Sequence, residues 1–216
     1  MKGMTTMDVT IAASAFPPLA LGFFGLGTGY LIYGPQELFG WPAKSEKVDM
    51  GTGVWGIWLP GFCQFVAGTI LFLGLGLFPG TFADHTANGL GSSSPLYMAA
   101  FAFSAYGIHW FGIGWNRYRG TDARANTGMT VGYTVISVMG VVVFFDVGDW
   151  PVGLVFVGLT AIYVCDFFAS ALTPGKTLHT WGLRGLGCFH LITGVWLLYC
   201  AFAAAVNMSL GFNWKL

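Results

Sequence analysis

The sequence predicts an all-α integral membrane protein, one domain of six transmembrane helices. Three observations predict it. Of 216 residues, 55% are hydrophobic and only 8% charged, against roughly 25% charged in a soluble domain. Six stretches each come close to the ~20 apolar residues that cross ~30 Å of hydrocarbon. The 33 glycines suit membrane helices, where they let backbones approach closely. Nine basic residues balance nine acidic ones, which leaves no basic footprint for nucleic acid. Cys63, Cys165, Cys188 and Cys200 lie in apolar segments with no CxxC pair and read as buried reduced thiols.

The first span covers 15–33. Before it the chain lacks the basic-then-apolar layout of a cleaved signal peptide. Gly22, Gly25 and Gly29 fall on one helix face and form a small-residue packing stripe. The second span, 54–78, contains Pro60, which removes one helical hydrogen bond and predicts a kink inside the bundle. A polar Gly- and Ser-rich connection over 79–95 follows and reads either as a solvated loop or as a segment folded over a pore mouth. The third span covers 96–114, the fourth 129–145, the fifth 152–172 and the sixth 186–206.

Six spans put both termini on one side. That side carries Lys2 and Lys215. The other carries Lys44, Lys47, Arg117, Arg119, Arg124, Lys176 and Arg184. The basic loops are therefore expected in the cytoplasm and both termini outside, in a bacterial plasma membrane.

Polar groups inside apolar spans are the functional candidates. His109 is the deepest, in the third span, with Tyr106 three residues earlier on the same face. Gln64 is mid-span in the second. It reads either as a helix–helix hydrogen-bond partner or as part of a path. Asp166 shares a face with Leu159 in the fifth span and is expected to pair with His190 or Arg184. The two histidines, His109 and His190, are a weak haem pattern. No cofactor or metal is expected, and no catalytic motif points to an enzyme.

The first span reads FPPLALGFFGLG, the second GFCQFVAG, the third AFSAYGIHW, the fifth Gly158-Leu159-Thr160, and the last Tyr199 followed eight residues later by Asn207. In this order the motifs resemble the acetate/succinate uptake transporter family, the yeast acetate-permease-like proteins and their bacterial homologues. The resemblance implies a hexamer with a solute path through each protomer. It also implies a constriction of Phe24, Tyr106 and Leu159. The pore-lining or gating candidates are Gln64, His109, Thr160, Asp166 and Asn207: His109 and Asp166 as polar groups inside the spans, and Gln64, Thr160 and Asn207 within the motifs that carry the resemblance. The chain differs from the family where two glutamates fall on Leu71 and Ala204, and in its basic side. The expected function is a channel or transporter for a small monocarboxylate such as acetate. The alternatives are a channel for a neutral solute such as urea, and a non-catalytic accessory subunit of a larger membrane complex. Expected partners are the lipid bilayer, the solute and further copies of the chain.

Overall fold

The computed structural model describes residues 17–77 and 93–215. Among these the chain forms six long helices: α1 (Pro17–Phe39), α2 (Glu46–Leu77), α3 (Ser93–Arg119), α4 (Thr127–Asp146), α5 (Trp150–Ala171) and α6 (Thr177–Leu210). The start of the first expected span and most of the 79–95 connection lie outside the described residues.

Most of the helices overrun the expected spans, and several of their ends are capped outside the apolar runs. Ser45 Oγ accepts from Val48 N at 3.3 Å, and Glu46 and Asp49 sit in the first turn of α2, where they favour the helix dipole. Asp149 caps α5 through Val152 N, with Pro151 at the start. Gly211, at φ 67°, ends α6, a left-handed conformation that glycine adopts without strain. α1 continues past Pro35 to Phe39. Beyond the proline, Glu37 is tied to α6 and Gln36 to Pro42 O and Asp49.

Five helices, α2 to α6, are long and apolar enough to cross a membrane, which makes this an integral membrane protein. The expected six become five on this measure. α1 has the length, at 23 residues, but its glycines and its two tyrosines dilute its apolarity.

Consecutive helices pack antiparallel and the last returns to the first, so the six close into a ring. Glycine sets the closest approaches. Gly53 on α2 faces Gly114 and Tyr118 on α3, where an added Cβ would lie 2.7 Å from Gly114 O. Gly27 and Gly34 of α1 meet Gly194 and Leu191 of α6. The expected packing stripe is present: Gly22 abuts Phe103, Gly25 abuts Cys63, and Gly29 abuts Pro60. Pro60 does more than kink α2. Lacking an N–H and crowding the carbonyl four residues back, it widens Ile57–Phe62 into a π-helical turn.

Candidate functional site

Two cavities lie along the axis of the ring. The wider, about 420 Å³, opens at the end that carries the α1–α2, α3–α4 and α5–α6 connections. Lys44, Asp49, Arg117, Thr121 and Asn126 stand toward its mouth; Tyr30, His109, Trp110, Tyr163, Asp166 and His190 form its floor. Beyond the floor is a narrow cavity of about 20 Å³, lined from all six helices, including Phe23, Gln64, Tyr106, Phe144, Leu159 and Leu197.

Helical spacing brings the floor together. On α3, Tyr106 and His109 share a face. On α5, Leu159, Tyr163 and Asp166 follow at four and three residues, so one stripe runs through both cavities. Between the cavities the rings form a layer. His109 Nδ1 and Tyr163 OH share a hydrogen bond at 3.0 Å, and His109 stacks on Tyr133 at 4.4 Å. Tyr106 stacks on Tyr163 at 5.7 Å, and its hydroxyl is held by Ser137 Oγ at 2.9 Å. Ser137 in turn donates to Tyr133 O. Rings fixed at both faces and at the hydroxyl make a rigid, partly polar partition.

The upper floor has its own pairings. His190 Nδ1 lies 2.5 Å from Glu37 Oε2, and its ring stacks on Tyr30 at 4.4 Å. Arg117 lies 3.5 Å from Asp49 and 4.2 Å over the Tyr33 ring. The expected partner of Asp166 is thus taken by another residue: Glu37, not Asp166, engages His190. The Asp166 carboxylate faces the cavity with no hydrogen bond from a described residue. Gln64 is 0% exposed, and neither its Nε2 nor its Oε1 has a partner among the described residues. Of its two expected readings, the helix–helix hydrogen-bond link is therefore not formed among the described residues. Its donor and acceptor groups are enclosed beside the apolar cavity that the residue lines.

Other candidates fall elsewhere. Tyr106 and Leu159 do line the narrow cavity, but Phe24 is 47% exposed on the outside of the ring. Phe23 takes that face, 5.5 Å from Phe103. The reason is helical phase: Leu19, Phe23, Leu26, Tyr30, Tyr33 and Glu37 follow at alternating four and three residues and form the inward stripe of α1. Phe24 is one residue, about 100°, off it. Thr160 Oγ1 donates to Phe156 O of its own helix at 2.8 Å and lines neither cavity. Asn207 lines neither cavity. It clasps the C-terminal tail, donating to Trp214 O at 2.9 Å and accepting from Trp214 N at 2.8 Å. Tyr199 OH joins it by donating to Lys215 O.

Glu37, Tyr30 and Tyr163 were not singled out from sequence, and Trp110 entered only as the last residue of the motif AFSAYGIHW. Glu37 lies beyond the expected end of the first span. The spacing Tyr30–Tyr33–Glu37 was the signal that could have found it.

Fold and site together define a polytopic helical membrane protein with an axial cavity system, wide and polar at one end and narrow and apolar at the other. No family model matches this chain, and no curated protein matches it.

Proposed function

We propose that this chain forms a membrane channel or transporter for a small monocarboxylate such as acetate, the solute moving along the axis of a single bundle. The carrying observation is the pair of aligned cavities, with Gln64 unpartnered in the apolar one. A buried amide without a partner costs about 1–3 kcal/mol, and a passing carboxyl group can satisfy both its N–H and its C=O. Tyr106 and Leu159 narrow the path, with Phe23 in the position expected of Phe24. The reading is of transport, with no catalytic step.

All six helices span the bilayer in this reading. α1 is packed against both α2 and α6 along its length, so it needs less apolarity of its own. The wide cavity opens on the side of the basic loops. By the positive-inside rule that side is cytoplasmic and both termini are outside, in a bacterial plasma membrane. The chain works as a homo-oligomer, a hexamer by family resemblance. Exposed apolar residues such as Phe24, Val135 and Val142 supply faces for lipid or for further copies.

Two other readings have an observation behind them. Gln64, with one donor and one acceptor group, also suits a neutral amide such as urea. The narrow cavity is too small to pass a solute as it stands, which suits an accessory subunit. Purified protein in liposomes, assayed for uptake of labelled acetate with urea in parallel, separates the three. Acetate uptake above protein-free liposomes supports the proposal. Urea uptake alone transfers it to amides, and uptake of neither favours the accessory role.

A further inference from the structure

The charges around the wide cavity do not cancel uniformly. From α1, Glu37 is engaged by His190 of α6 at 2.5 Å. From α2, Asp49 is engaged by Arg117 of α3, which also lies over the Tyr33 ring. His109 of α3 is bound to Tyr163 of α5, whose ring stacks on Tyr133 of α4. Tyr30 stacks on His190. Lys44 is exposed toward the mouth. What remains on the floor is Asp166, a carboxylate facing the cavity with no hydrogen bond from a described residue. A second unfilled group belongs to a residue that lines the same space. Trp110 is 2% exposed, and its Nε1–H has no partner among the described residues.

His190 lines the same floor but is engaged by Glu37, and a negative charge at the entrance to a narrow, low-dielectric passage repels anions. A buried indole N–H asks for an acceptor. A carboxylic acid that keeps its proton meets both conditions, since its O–H donates to a carboxylate and its carbonyl accepts from an N–H.

We propose that Asp166 is the charge-selecting residue of this path: it refuses the carboxylate anion and admits the neutral acid, with Trp110 Nε1–H as the donor to the solute carbonyl. The inference rests on the monocarboxylate reading above. Each carboxylate then crosses with its own proton, and no net charge moves.

Membrane potential tests this directly. The full-length protein is reconstituted in liposomes with a potassium gradient and valinomycin, which set an inside-positive potential. Uptake of labelled acetate is measured and corrected by protein-free liposomes. Wild-type uptake is expected to ignore the potential. Asp166→Asn admits the anion, and its uptake is expected to rise by up to about tenfold for 60 mV. Asp166→Glu keeps the wild-type indifference. Trp110→Phe raises the KM for acetate and leaves that indifference intact. If Asp166→Asn fails to fold, Asp166→Ser carries the same expectation. Wild-type uptake that responds to potential overturns the inference, as does an Asp166→Asn variant as indifferent as wild type. An unchanged KM in Trp110→Phe overturns the role of the indole. Wild-type uptake no faster than protein-free liposomes is a distinct result: it removes the monocarboxylate reading and the inference with it.

Discussion

Replacing Gln64 with leucine is expected to stabilise the protein and stop uptake at once. The side chain is fully buried, and both amide atoms lack a partner among the described residues. Its neighbours in the narrow cavity include Leu26, Phe103, Leu159 and Leu197. A buried polar group without a partner costs about 1–3 kcal/mol. Leucine fills a similar volume with no polar atom, so Gln64→Leu should gain about 1–3 kcal/mol, less whatever a resident water contributes. The gain is read as a higher midpoint of thermal unfolding of the purified protein in detergent. The same variant in liposomes should take up labelled acetate no faster than protein-free vesicles. A stability loss above about 1 kcal/mol with uptake untouched refutes the reasoning. It would mean that the amide holds helices together and meets no solute.

Three further outcomes follow from the packing and the loops. Gly107→Ala places a Cβ 2.6 Å from Phe65 N and 2.9 Å from Gly61 O, and should cost about 1–3 kcal/mol by overpacking. Gly112→Ala, with nothing within 4 Å, should be neutral or gain up to about 1 kcal/mol. Thermal unfolding of the pair checks the seam. Phe23→Ala should lower stability by about 3–5 kcal/mol and alter uptake, whereas Phe24→Ala leaves uptake by the isolated bundle unchanged; the reverse pattern restores Phe24 to the constriction. In the α3–α4 connection, hydrogen bonds from Arg124 hold the Asp122 carboxyl down at about 2. A depressed carboxyl stabilises above its unfolded value and loses that contribution as pH falls toward 2. The unfolding midpoints of wild type and Asp122→Asn should therefore differ at pH 7 and converge near pH 2; a gap that persists at pH 2 removes the role of the charge.

Local periodicity carries a good part of this molecule. The apolar runs announce the helices, the spacing of Tyr106 and His109 puts them on one face, and the glycines of α1 mark a tight seam. Partners across the ring were not legible. Nothing near His190 names Glu37, 153 residues away, and nothing near Tyr106 names Ser137. The choice between Phe23 and Phe24 needed the phase of the whole helix, because adjacent aromatics differ by about 100° of rotation. The stripe from Leu19 to Glu37 contained that phase, yet its polar end lay past the expected edge of the membrane. Asn207 misled for the opposite reason. It entered through the spacing of Tyr199 and Asn207 in a motif, and the tail that folds back to use both its amide groups lies downstream of that motif.

The wide turn at Pro60 makes α2 two helices in succession, each fitted to α3 on its own terms. Gly53 sets the first half against Gly114 and Tyr118, and Gly68 sets the second against Ser104. An ordinary α-helix advances about 100° per residue, and a π turn absorbs most of one such step. Straightening that turn would swing Cys63–Leu77 around its own axis relative to Glu46–Gly56, and Gln64 with it. Pro60 borders neither cavity and instead lies against Gly29 of α1. The azimuth at which Gln64 meets the narrow cavity is thus governed by a ring that borders neither cavity, so that a change in the pitch of this backbone would turn the amide and leave every lining side chain as it is.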